Sequence, residues 1–213
     1  MPDKEAELRE AICAAGRRLS DLGLVGACEG NISARLDEQH LLSTPRGLPK
    51  GSLKPDDLTI LDRKGTPIDG KSPSSEIKMH LRIYERRHDC QAVVHAHPIQ
   101  ATAFTLAGET IPHDVMPEAA VVLGPVALVP FGMPGTDEVP DGLDPFLPNH
   151  KTLLLSHHGA VVLGKDIADA TYRMETLERV AQVILAARAL GTLQPMPQDA
   201  YKVFAANWLN GKL

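Results

Sequence analysis

Ala92-Val93-Val94-His95-Ala96-His97-Pro98 is a run of small and β-branched apolar residues that carries two imidazoles two positions apart. Extended backbone sends alternate side chains to opposite faces, so His95 and His97 share one face. Apolar character on both sides predicts a buried-type strand over Ala92 to His95. Neutral imidazole is a common ligand for zinc-like ions, and a strand face bearing two of them is half of a metal site. Taken alone, the pair serves equally well as two ordinary histidines near a strand end. The rest of the chain has to decide.

Outward from this strand the chain reads as α/β without a linker. Towards the N-terminus, Leu8, Ala11, Ile12, Ala15, Leu19 and Leu22 recur at helical spacing over Asp3 to Leu22, with Gly23 as a stop. Short strands are predicted at Gly30–Arg35, Leu41–Ser43, Leu58–Leu61 and Thr66–Ile68, punctuated by Gly, Pro and Asp. A helix opens at Pro73-Ser74-Ser75-Glu76, with Ser74 as its N-cap and Ile77, Leu81 and Tyr84 on one face. Towards the C-terminus, a short helix is predicted at Ile99–Leu106 and strands at Val126–Val129 and Leu153–Leu155. Ala160–Leu163 completes a hairpin. A long helix over Ile167–Leu190 carries Ala170, Met174, Leu177, Val180, Ala181 and Ile184 as a packing stripe. A last helix runs from Pro197 to Leu209, and the Pro-rich piece Val139–Pro148 reads as a loop or broken helix.

The bulk properties narrow the function. A chain of 213 residues is read as a single domain over 1–213, long enough to bury a substantial core. A net charge of −5 argues against nucleic acid as a partner, because phosphate-backbone binding needs a basic surface. Every long apolar run is broken by Pro, Gly or a charge, so no membrane span is expected. Met1-Pro2-Asp3-Lys4-Glu5-Ala6-Glu7 has no apolar core for a signal peptide. Cys13, Cys28 and Cys90 are scattered and odd in number, which suits reduced thiols, small buried hydrophobes and a cytoplasmic location.

A catalytic zinc-type site needs a third ligand, remote in sequence. Ser156-His157-His158-Gly159 lies between two apolar runs, and Gly159 lets backbones approach there. Alternation does not choose between His157 and His158. His40, His80, His88, His113 and His150 sit in polar or turn contexts and are read as surface residues. Glu76, in the first turn of a helix behind two hydroxyls, is a candidate base for a carbonyl polarised by a metal. The same helix start, with Ser74 and Ser75, is a natural anion seat. Gly30-Asn31 and Arg46-Gly47 add two turns whose backbone N–H groups suit an anion.

In their order along the chain, Glu29-Gly30-Asn31-Ile32-Ser33, Thr44-Pro45-Arg46-Gly47, Lys71-Ser72-Pro73-Ser74-Ser75-Glu76, Val93-Val94-His95-Ala96-His97 and His157-His158-Gly159 resemble the motifs of the class II aldolase/adducin family. The likeness runs from about Leu8 to about Pro197. It implies a three-layer α/β/α fold around a mainly antiparallel sheet. It implies one divalent metal per subunit, zinc before manganese or cobalt, held by His95, His97 and His158, with Glu76 as catalytic acid/base and an additional ligand when substrate is absent. Gly30, Asn31, Arg46, Gly47, Ser74 and Ser75 match the positions that hold a substrate phosphate. The implied reaction is cleavage of a phosphorylated ketose, of the fuculose 1-phosphate kind, to dihydroxyacetone phosphate and an aldehyde through an enediolate. No Schiff-base lysine is involved. Family members are homotetramers with interfacial active sites.

The chain also departs from the family pattern. No tyrosine follows Ile111-Pro112, where His113 and Glu118 stand instead, and Arg46 replaces a threonine. Tyr201 and Trp208 are the candidates for a C-terminal tyrosine that reaches a neighbour. Epimerase members carry Asp at position 76 and decarboxylases tend to carry Lys before it, so Glu76 and Ser75 weigh against both. Dehydration of methylthioribulose 1-phosphate, or another sugar-phosphate lyase or epimerase activity, is the alternative. Adducin-type binding heads lack the metal histidines, which sets that class aside.

Overall fold

The computed structural model describes residues 4–69 and 71–209. Among them, seven strands form one sheet: β1 (Asn31–Arg35), β2 (His40–Ser43), β3 (Thr59–Asp62), β4 (Ala92–Ala96), β5 (Val126–Val129), β6 (Thr152–Leu155) and β7 (Gly159–Gly164). Their order is β3-β2-β1-β4-β7-β6-β5, so the histidine-bearing strand lies at the centre. Among the described residues every neighbouring pair is antiparallel except β5 and β6. The α-helices that accompany it are α1 (Lys4–Asp21), α2 (Ile77–Arg86), α3 (Ile99–Leu106), α4 (Glu138–Leu143), α5 (Ile167–Leu190) and α6 (Gln198–Leu209).

Strand alternation sorts the interior into two layers. Ile32, Ala34, Val94, Ala96 and Val162 face α1, α3 and α5, where they meet Ile12, Leu19, Phe104, Met174 and Leu177. Val93, Leu153, Val161 and Leu163 face α2 and α4, packing on Met79, Ile83, Tyr84, Val139 and Leu143. The expected three-layer arrangement follows: a sheet apolar on both faces has to be covered on both. His95 shares the parity of Val93, so it points towards α2. Its register partners are Asn31 on β1 and Val161 on β7.

Three local expectations change. Thr66–Ile68 forms no strand; it contributes one isolated bridge, Leu61 to Pro67, because Pro67 has no N–H for a ladder. The helix expected from Ser74 begins at Ile77, and Glu76 occupies the N-cap position. A bridge between Pro45 and Pro73 keeps the preceding segment extended. The buried face of α2 is Met79, His80, Ile83 and Tyr84, while Ile77 and Leu81 pack only partly buried at its edge. Among the described residues no helix is long and apolar enough to cross a membrane.

Glu178 of α5 is a buried acid that anchors the chain just beyond His97. Its carboxylate accepts from the backbone N–H groups of Gln100 (3.1 Å) and Ala101 (3.0 Å), donors in the first turn of α3 that have no partner within the helix. Glu178→Ala is expected to lower unfolding free energy by about 1–3 kcal/mol, since two buried donors lose a charged acceptor. Urea titration measures it, and an unchanged midpoint would contradict the cap.

Candidate active site

His95 leaves the centre of the sheet fully buried, His97 follows it at the strand end, and His158 enters from the turn between β6 and β7. The turn makes the choice that alternation could not. His157 takes a left-handed conformation (φ 56°), and its ring ends up exposed, 6.3 Å from Phe131. Such a backbone state is costly for a non-glycine residue and is tolerated where the surroundings enforce it. The next residue, His158, then faces inward. At Gly159 a Cβ would lie 2.5 Å from the carbonyl oxygen of Ala96 and 2.8 Å from the His97 ring. Only glycine lets the start of β7 press this close to the end of β4, and this approach brings His158 to His97.

The three rings converge, with one ligand nitrogen from each within 4.8 Å of the others. His95 Nδ1 donates to the Ala160 carbonyl (2.9 Å), so its Nε2 carries the lone pair. That Nε2 lies 3.2 Å from His97 Nε2 and 3.3 Å from Glu76 Oε2, while His158 Nε2 lies 3.2 Å from Glu76 Oε1. A tetrahedral zinc with bonds of about 2.0–2.1 Å spaces its ligand atoms by about 3.3 Å. Lone pairs facing one another at this distance call for a positive centre between them, and the residues fit a divalent cation. His97 is pushed down to about 4 by burial and by its two neighbouring imidazoles, which keeps it neutral at pH 7. Burial alone would raise the Glu76 carboxyl. Hydrogen bonds and charge from His158 and His95 outweigh that and hold it well below the usual carboxylate range.

The anion-seat residues come together from three segments. Gly30 (φ 68°) turns the chain into β1 with its Cα against the His95 carbonyl, where a Cβ would lie 2.7 Å away. Asn31 Nδ2 donates to Ser74 Oγ (3.1 Å) and to Glu76 Oε2 (2.9 Å). Arg46 N donates to Ser72 O (3.0 Å), and Gly47 (φ 77°) accepts from the Cys28 thiol (3.2 Å). Ser75 and the Arg46 side chain are exposed. Glu118 is exposed, and His113 bonds Tyr201 through Nε2 (2.9 Å). The side chain of Trp208 lies outside the described residues.

Sequence reading misses two supports and misplaces two residues. Lys50 is buried, and its ammonium ties together the carbonyls of Cys28 (3.1 Å) and Leu48 (2.8 Å), which pins the two glycine turns to each other. Glu29 caps Gly26 N (3.0 Å) and lies 3.7 Å from His97 Nδ1. Cys28, expected to be buried, is exposed. The largest correction is His80. Its polar context reads as surface, yet it is 1% exposed and bonded to Asn31 and Ser33. The available signal is its spacing: Glu76, His80 and Tyr84 recur every four residues, one stripe of a helix.

Burial pushes His80 down to about 3 from its ordinary 6.5, His95 adding to the shift and Glu76 opposing it. As pH falls below 6.5, the unfolded chain takes up a proton on this ring that the folded chain refuses. The stabilisation is therefore complete above 6.5 and is lost progressively down to about pH 3, up to about 5 kcal/mol in all. Urea midpoints between pH 7 and 4 should fall more steeply for the native chain than for His80→Gln; parallel slopes would contradict it.

The family model described as the class II aldolase and adducin N-terminal domain matches residues 10–185. The chain is 38% identical over 167 residues to an L-fuculose phosphate aldolase of Methanococcus maripaludis, covering 78% of this chain and 90% of that one. It is 31% identical over 179 residues to a 3-oxo-tetronate 4-phosphate decarboxylase of Haemophilus influenzae, covering 82% and 85%. The crystal structure of L-fuculose-1-phosphate aldolase from Thermus thermophilus superposes with a TM-score of 0.77 at 30% identity, covering 87% of this chain and 96% of that one.

Proposed function

Since the chain belongs to the class II aldolase and adducin family, we propose that it is a divalent-metal-dependent aldehyde-lyase. It would cleave a small phosphorylated ketose to dihydroxyacetone phosphate and an aldehyde. The observation that carries this reading is the Glu76 carboxylate set between His95 and His158, with His97 closing the group and the anion seat alongside. His95, His97 and His158 would hold the metal, and Glu76 would join them when substrate is absent. The metal, zinc before manganese or cobalt given three imidazoles, supplies Lewis-acid stabilisation of negative charge on the keto and adjacent hydroxyl oxygens.

The remaining work falls to the chain's own groups. Gly30, Asn31, Arg46, Gly47, Ser74 and Ser75 bind the phosphate and so place the reacting carbon beside Glu76. Glu76 delivers a proton to that carbon after cleavage and withdraws it in the reverse direction. Its low proton affinity among imidazoles keeps it ionised until substrate displaces it from them. The likeness to the family also supports a cytoplasmic homotetramer with sites at subunit interfaces. Phe131, exposed beside the His157 turn, and Met133, exposed two residues further along the chain, are apolar surface that such an assembly would cover.

Decarboxylation of a phosphorylated 3-keto acid is the second reading. Ser75 weighs against it, whereas relatives named for that activity are 31–32% identical to this chain. Loss of carbon dioxide leaves the same kind of enediolate as a retro-aldol cleavage. It needs no base on an aldehyde-forming hydroxyl, and no tyrosine follows Ile111-Pro112 in this chain. A panel of ketose 1- and 5-phosphates, 3-oxo-tetronate 4-phosphate and methylthioribulose 1-phosphate separates the readings. Metal-dependent release of dihydroxyacetone phosphate is expected. Carbon dioxide release alone would select the second reading, and water loss alone would select the dehydratase.

A further inference from the structure

Glu76, His80 and Tyr84 lie one turn apart along α2, and Asn31 and Ser33 lie two residues apart along β1. Four helical residues advance about 6 Å and two strand residues about 6.6 Å, so the two stripes mesh tooth by tooth. Asn31 sits between Glu76 and His80, and Ser33 between His80 and Tyr84. The direction of each hydrogen bond follows from its end. A carboxylate only accepts, so Asn31 turns Nδ2 towards Glu76 (2.9 Å), and the same nitrogen reaches Ser74 Oγ (3.1 Å). Asn31 Oδ1 then faces His80 Nε2, which has to carry the ring proton. His80 Nδ1 is left with a lone pair and accepts from the Ser33 hydroxyl (2.6 Å), whose oxygen accepts from Tyr84 (2.9 Å). Asn31, Ser33, His80 and Tyr84 are all 4% exposed or less, so water does not compete along the file.

We propose that this file is a positioning array for the acid/base. His80, held as the Nε2–H tautomer by Ser33 and Tyr84, locks the Asn31 amide with its nitrogen towards Glu76 and so fixes the carboxylate and Ser74 at the reacting end. Turned over, the amide would set its oxygen against the carboxylate, two acceptors opposed, and His80 excludes that arrangement. His80 bonds Asn31 and Ser33 alone among the described residues, which makes it a positioning residue and not a catalytic one. The effect on turnover rests on the lyase reading above; the hydrogen-bond order does not.

Nitrogen-15 NMR of the full chain at pH 7 tests the order directly. His80 is expected as the neutral Nε2–H tautomer; an Nδ1–H tautomer or an imidazolium would overturn the array, whether or not the chain turns over any substrate. In steady-state assays with the metal-loaded chain, His80→Leu is expected to lower kcat by about 10–100-fold with metal stoichiometry unchanged. His80→Gln, whose amide nitrogen can take the place of Nε2, is expected to restore most of the loss. Unchanged kcat in His80→Leu, or a glutamine variant no better than leucine, would overturn the proposal. Should the His80 variants fail to fold, Ser33→Ala leaves the ring and its contact with Asn31 in place but removes the donor to Nδ1. Its kcat is expected to fall with metal stoichiometry unchanged, and an unchanged kcat would overturn the array. A native chain with no lyase activity but the expected tautomer would fail the lyase reading and leave the array standing.

Discussion

Replacing His158 with alanine is expected to abolish stoichiometric binding of a divalent cation and to cut metal-dependent turnover by about 10³-fold or more, because several kcal/mol of charge stabilisation go with it. The fold should survive. His158 belongs to neither apolar cluster, and its Nδ1 is buried with no hydrogen-bond partner among the described residues, so its loss orphans nothing there. The metal-free chain loses the contact with Glu76 (3.2 Å) and the edge contacts with the His95 and His97 rings. A cation that binds only the folded chain stabilises it by mass action. Chelation should therefore lower Tm for the native chain and leave His158→Ala unmoved. A variant that still takes up one equivalent of zinc by elemental analysis, or a native chain whose Tm ignores both chelator and added zinc, would remove His158 from the site. Turnover that persists without metal would sink the lyase reading itself.

Glu76→Gln separates proton transfer from metal binding. Three imidazoles remain to hold the cation, so zinc content should stay near that of the native chain while kcat falls by about 10²–10⁴-fold. Glutamine keeps the shape of the side chain and an acceptor for Asn31 Nδ2, now 2.9 Å from the carboxylate. The loss should therefore fall on kcat with little change in KM, and the acid limb of the kcat profile should disappear. Full turnover in Glu76→Gln would remove the acid/base role. Loss of metal together with activity would make Glu76 chiefly a ligand.

Much of the architecture can be read in the chain because its elements announce themselves through periodicity. Ile99–Leu106 and Ile167–Leu190 form helices with the expected bounds, and the strand at Ala92 forms at the sheet centre, apolar on both faces. The differences fall where a contact remote in sequence overrides local preference. Ser74 has the chemistry of an N-cap, and its Oγ accepts from Glu76 N (3.3 Å). Pro73 is held in a bridge with Pro45, however, and a turn at Ser75-Glu76 intervenes, so the helix starts at Ile77 with Glu76 in the cap position. Thr66–Ile68 alternates like a strand, but Pro67 supplies no ladder donor. His80 looks like a surface histidine in its polar neighbourhood and is buried because β1 lays Asn31 and Ser33 along the same stripe of α2.

The sequence by itself determined the α/β class, the shared face of His95 and His97, and the order of motifs that marks the family. Those properties depend on residue type and on the two-residue period of a strand, both local. Strand alternation leaves His157 and His158 open, and only the family likeness points to His158. The tertiary structure shows how the turn faces His158 inward, sets Glu76 between two imidazoles, and runs a buried file from Tyr84 to Glu76. Each of these depends on where a second element comes to rest: β7 against β4 at Gly159, α2 against β1 at Asn31. Their relative placement is set by packing across the sheet, and no local period encodes it.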